Sequence, residues 1–156
     1  YAEALDVPET YNGWIISAVM LCGGISGHIG HKILPNLRGQ QALQGLIVML
    51  VIILLIAGFS MNFIGIIALG LEAFVFGFGM PRAQETINNL VDSSRRATVL
   101  STANLATSLG FIPLSQMVGF VTDHSDISTA LITYAGVLSV LAVIAKLITV
   151  KRSRLA

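Results

Sequence analysis

Apolar residues run along the chain in five long blocks, at roughly 13–31, 43–60, 63–80, 98–121 and 128–150. Shorter, more polar stretches separate them, at about 36–42, 61–62, 81–97 and 122–127. Inside the blocks the apolar positions are continuous rather than alternating, as in "LIVMLVIILLIAGF" (Leu46–Phe59), which predicts helices and not barrel strands. A helix rising 1.5 Å per residue needs about 20 residues to cross a hydrocarbon layer about 30 Å thick. Each block is about that long. The pattern therefore predicts an all-α membrane protein with five transmembrane helices.

Composition agrees. Of 156 residues 54% are hydrophobic and 11% charged, where a soluble domain carries roughly 25% charged residues. Such a chain cannot cover a compact fold with polar surface, so a soluble enzyme is excluded and the lipid bilayer is the expected partner. Charge placement then gives direction. Five crossings put the loops near 32–42 and 81–97 and the carboxyl tail on one side. All nine basic residues fall there: Lys32, Arg38, Arg82, Arg95, Arg96, Lys146, Lys151, Arg152 and Arg154. The other side holds Glu3, Asp6, Glu9, Asp123 and Asp126. By the positive-inside rule the basic side is cytoplasmic and so is the carboxyl terminus. Tyr11 and Trp14 suit the headgroup region at the outer mouth of the first crossing, and Lys146 can snorkel inward. Residues 1–12 lack the pattern of a signal peptide, and the chain reads as a piece of something longer.

Several local features have a sharp reading and a plain one. Cys22 stands alone inside an apolar run, so the chain has no internal disulfide. His28 and His31 share a helix face, and His124 lies in the turn "DHSD". Zinc needs three or four ligands, so solvated helix ends are expected and no metal. Asp126 or Ser128 is a candidate cap for the last helix. Gly23 and Gly27 form a small-xxx-small pair that admits a close backbone within the fold. Pro81 is expected to stop the third crossing. Beyond it "PRAQETINNLVDSSRRA" sets Ile87, Leu90 and Val91 on one face, predicting a short helix on the inner membrane surface. The glycine clusters "GHIGH" and "FGFGMP" sit at helix ends and are not phosphate cradles. No nucleophile–base pair stands out, and neither a cofactor nor a nucleic-acid partner is expected.

The crossings are unequally polar. The second has almost nothing polar between Leu46 and Phe59 and is expected to face lipid on most sides. On the fourth, Ser101, Asn104, Ser108 and Ser115 fall within an arc of about 60° at 100° per residue, with Gly119 beside them. Polar groups left against lipid are costly, so this stripe faces either another helix or a water-filled cavity. Glu72 lies near the middle of the third crossing, sharing a face with Gly65, Leu69, Phe76 and Gly79. A lipid-exposed charge at that depth is strongly disfavoured. Glu72 must be protonated, paired, or open to an aqueous cavity, and no Lys or Arg of these crossings matches its depth. It is a candidate proton-coupling or cation-contacting group, with the aromatic face of Phe76 one turn away. The plain alternative is a protonated carboxyl bonding between packed helices.

The stretch "RRATVLSTANLATSLGFIPLSQMVGFVTDHS" (Arg95–Ser125) resembles the eleventh helix of the major facilitator superfamily. Its Arg-Ala-Thr start, Ser-rich stripe, mid-helix Pro and Gly-x-x-x-Asp exit carry the likeness. "PRAQETINNLV" looks like that family's cytoplasmic connector between helices ten and eleven. "YAEALDVPETYNGWIISAVMLCGGISGHIGHKIL" looks like the outer connection from helix seven followed by helix eight. The resemblance spans the whole chain and implies helices eight to twelve of a twelve-helix bundle, with the amino-terminal half missing. It departs in Gly27–Gln41, where the family's Gly-x-x-x-Asp-Arg-x-Gly-Arg-Arg loop lacks its acid and double Arg, so that gating role is not carried over.

The resemblance implies alternating access about a midplane site, with helices ten and eleven on the transport path and helices nine and twelve facing lipid. It points to Glu72, Phe76, Ser101, Asn104 and Ser108 as cavity or proton-coupling residues. The function expected is proton-coupled efflux of a small amphipathic or drug-like molecule across the plasma membrane. Uptake of a sugar or organic acid by the same fold, or a non-transporting membrane subunit or scaffold, are the alternatives.

Overall fold

A computed structural model describes the backbone of residues 1–33 and 39–153 and the side chains of residues 1–29 and 43–147. The described residues form helices and no strands. Two short 3-10 turns, Glu3–Leu5 and Glu9–Tyr11, lead into α1 (Asn12–Ile33), α2 (Gly39–Phe59), α3 (Phe63–Leu90), α4 (Arg96–His124) and α5 (Ile127–Ser153). Among the described residues, Phe63–Leu90, Arg96–His124 and Ile127–Leu147 are long and apolar enough to cross a membrane by length and composition, and the described part of α2, Leu43–Phe59, is apolar as well. The side chains of His31, Lys32, Arg38, Lys151, Arg152 and Arg154, and most of the Gly27–Gln41 loop, lie outside the described residues.

The helix ends follow from local chemistry. Asn62 is extended at φ −157° and its side-chain oxygen accepts from the Ile64 amide at 2.8 Å, supplying one of the first-turn donors of α3 with a partner. Asp126 does the same for α5, accepting from the Thr129 amide at 2.8 Å and the Thr129 hydroxyl at 3.0 Å. Of the two candidate caps it is the one that acts. Ser128 instead donates its hydroxyl to the Gly58 carbonyl, tying the start of α5 to the end of α2. At the α3–α4 turn Val91 is extended, and the Arg96 guanidinium donates to the Asn88 carbonyl at 3.1 Å. That cation neutralises an orphan acceptor at the carboxyl end of α3.

One boundary and one face correct the sequence-based expectation. Pro81 does not stop the third helix, and residues 82–90 are its continuation rather than a separate surface helix. A proline removes one intrahelical bond and crowds the carbonyl four residues back. Here that residue is Gly77, and intact turns on both sides carry the helix through. The second correction concerns α2. Ile53, Leu54, Ala57 and Gly58 are buried, while Gln44, Gly45, Val48, Met49, Ile52, Ile56 and Phe59 are exposed. The absence of polar groups does not separate a lipid-facing helix from a protein-facing one, because lipid tails are as apolar as leucine.

Packing places α3 between α1 and α2, and α2 between α3 and α5, while α4 leans on α5 and touches α3 only slightly. The core joins Ile53, Leu54 and Ala57 of α2 with Ala68 and Val75 of α3 and Leu131 and Ala135 of α5. Small residues set the closest approaches. A Cβ at Gly23 would stand 3.2 Å from the Ala73 carbonyl oxygen, and one at Gly27 3.3 Å from that of Gly77. The Gly23–Gly27 pair thus meets Ala73 and Gly77 of α3, a small-xxx-small contact within one chain.

Candidate functional site

Along α3 the positions Gly65, Ala68, Val75, Gly79 and Arg82 are buried, and Glu72 falls in the same 3–4 spacing as a half-buried member of that row. The row is the seam by which α3 joins its neighbours. Its two glycines admit the Tyr1 side chain at Gly65 and the Leu46 side chain at Gly79. Tyr1 in turn donates its hydroxyl to the Ser60 carbonyl at 2.6 Å, with the Ala57 carbonyl at 3.1 Å. The face expected to surround Glu72 therefore divides. Gly65 and Gly79 are covered and Leu69 packs on the core, whereas Phe76 is 48% exposed. Glu72 and Phe76 form the open edge of an otherwise packed surface.

No hydrogen bond or ion pair joins the Glu72 carboxyl to another described residue. Tyr134 of α5 packs against the core beside Ala135. This tyrosine was not singled out from the sequence. Its signal was a phenol hydroxyl inside an apolar run, the same oddity that marks Glu72. Arg82 is buried ten positions further along α3, with its guanidinium 5.7 Å from the centroid of the Phe78 ring. It occupies the seam, not the open connector that the sequence suggested.

The polar stripe of α4 has a different setting. Ser101, Asn104 and Ser108 are exposed, and no residue of α4 is buried. Hydroxyls elsewhere on the helix turn back on their own backbone: Thr102 donates to the Thr98 carbonyl, Thr107 to Ala103 and Thr122 to Val118, at 2.8 to 2.9 Å. Ser115, at the far end of the stripe, donates to Ile112. The side chains of Ser101, Asn104 and Ser108 make no hydrogen bond to another described residue. Their donors and acceptors point away from this chain's own packing. The structure thus brings Glu72 and Phe76 together and leaves Ser101, Asn104 and Ser108 as a separate uncovered row.

His124 is occupied locally, its Nδ1 2.8 Å from the Phe120 carbonyl and its ring stacked on Phe120 at 4.1 Å between centroids. Among the described residues no three His, Cys, Asp or Glu side chains are grouped to hold a metal. No family model matches the chain, no curated protein matches it, and no solved structure matches it. What the fold itself defines is an all-helical chain with, among the described residues, three helices long and apolar enough to cross a membrane.

Proposed function

We propose that this chain is the carboxyl-terminal part of a major-facilitator-type secondary transporter, with five crossings and a cytoplasmic carboxyl end in the plasma membrane. It exports a small amphipathic or drug-like molecule against protons by alternating access. The observation that carries the reading is Glu72, a carboxyl midway along an apolar helix, at the half-buried edge of its packed seam and beside an exposed aromatic ring. A group so placed exchanges a proton as its surroundings alternate between wet and dry.

The uncovered row on α4 supports the same arrangement. It presents hydroxyl and amide groups that are exposed along a helix long and apolar enough to cross a membrane. Substrate then passes between the Glu72–Phe76 edge and the α4 row, with the missing amino-terminal half closing the far side. The test is Glu72→Gln in the intact protein, followed by uptake into everted vesicles under an imposed pH gradient. Transport that no longer responds to the gradient is the expected result. Unchanged proton coupling removes Glu72 from the mechanism.

A further inference from the structure

Residues 1–11 run from the start of α1 to the corner where α2 ends and α3 begins. The segment is tied mainly to itself. Its two 3-10 turns flank Asp6, left-handed at φ 54°, and the Val7 amide donates to the Ala2 carbonyl at 3.1 Å. None of its residues is buried, and Tyr1 is the member that packs against the core. At the corner the Tyr1 hydroxyl donates to the Ser60 carbonyl at 2.6 Å, with the Ala57 carbonyl at 3.1 Å. The Ala57 carbonyl belongs to the last turn of α2, where no further turn supplies a donor. Gly65 opens the space: a Cβ there would collide with the hydroxyl and the adjoining carbon of the Tyr1 ring.

A corner so built selects its occupant. Both polar groups are acceptors, so it favours a hydroxyl that donates. The room at Gly65 admits the edge of a flat ring, and the apolar core beside it takes the rest. An aliphatic alcohol leaves part of that space empty, and a bare ring leaves the Ala57 carbonyl without a partner. A phenol answers both. We infer that Ala57, Ser60 and Gly65 form a phenol-binding site whose occupant is this chain's own Tyr1, so that residues 1–11 are a strap fastened by one side chain and able to lift from the bundle. The inference goes beyond the transport reading and does not depend on it. With the strap lifted, a free phenol fits the vacated place.

Hydrogen–deuterium exchange of the full chain in a nonionic detergent reads the corner through the Ser60 and Gly65 amides, which donate to Ile56 and Asn62. Tyr1→Phe keeps the ring and drops the donor, and is expected to speed exchange there about fivefold. Tyr1→Gly empties the site and is expected to speed it further. Added to that variant, 4-methylphenol is expected to restore slow exchange, whereas toluene, which lacks only the hydroxyl, is not. In Gly65→Ala the site is filled from below, so exchange is expected to be fast and 4-methylphenol to leave it fast. Unchanged exchange in Tyr1→Gly overturns the inference, and so does equal restoration by toluene or none by 4-methylphenol. Exchange that rises as much at residues 73–77, where α3 meets α1, shows a general loosening and overturns it too.

Discussion

Between α1 and α3 the backbones meet where an added Cβ on Gly77 would run into the Gly23 carbonyl and the Ser26 hydroxyl. The obstacle at Gly23 is main chain and cannot rotate aside, so the helices must separate or bend. Gly77→Val is expected to cost about 1–3 kcal/mol, read as a lower midpoint in a denaturing-detergent titration. At Gly110, where nothing lies within 4 Å of an added Cβ, Gly→Ala is expected to stabilise by about 0.5–1 kcal/mol through backbone entropy. Half of this contact was legible in the sequence. Small-xxx-small spacing marked Gly23 and Gly27 as a place for close approach, but Ala73 and Gly77 are set by helix register, which spacing within α1 does not encode. Asp126 gives a second test on this scale. The Thr129 amide, and then its hydroxyl, hold the carboxyl below the usual carboxylate range. Because the folded value is the lower one, the cap's contribution is complete above the unfolded value, about 3.9, and is lost as pH falls through the folded value. Amide-exchange protection at Thr129 is expected to drop below about pH 4. In Asp126→Asn, which keeps an acceptor that does not titrate, that drop is expected to vanish.

The five helices were legible because runs of twenty apolar residues leave little else to form. Their ends differ from the expected ones by a few residues, apart from α3. There the local rule for proline lost to the turns on either side of Pro81. Which helix is covered was less readable, because apolarity has the same value against lipid as against protein. The bare α2 fills the centre of the core through Ala57 and Gly58, while the polar α4 contributes no buried residue. Substitutions on the two helices should therefore behave oppositely. Ala57→Leu, at a fully buried position, is expected to lower thermal stability in micelles by about 1–3 kcal/mol. Ser101→Leu and Ser108→Leu in this chain are expected to stay within about 0.5 kcal/mol, and on the transporter reading proposed above to abolish most transport. Equal destabilisation on both helices would place a packing partner on the α4 stripe within this chain.

At the scale of the molecule, the parse into an odd number of crossings rests on all nine basic residues falling on one side. Single cysteines placed at Ser94 and at Ser125 in a Cys22→Ala background examine it directly. In sealed cells an impermeant thiol reagent is expected to label the second and not the first. Equal labelling would reverse or break the topology and take the proposed cavity with it. The candidate site was legible only in part. Glu72 stands out in any hydropathy reading, whereas its place beside the exposed Phe76 arises from the way α1 and α2 pack on α3 and leave one edge of it open.

A helix of 29 residues with no buried side chain is held in place by its two ends and by little between them. Its connection to α3 is stapled by Arg96 and its connection to α5 by the Asp126 cap, while along its length it leans on α5 alone. Membrane quality control that probes for polar side chains bare in the bilayer would meet Ser101, Asn104 and Ser108 first. On the transporter reading proposed above, this chain produced alone in cells is expected to turn over rapidly, and supplying the proposed amino-terminal half in trans is expected to lengthen its lifetime.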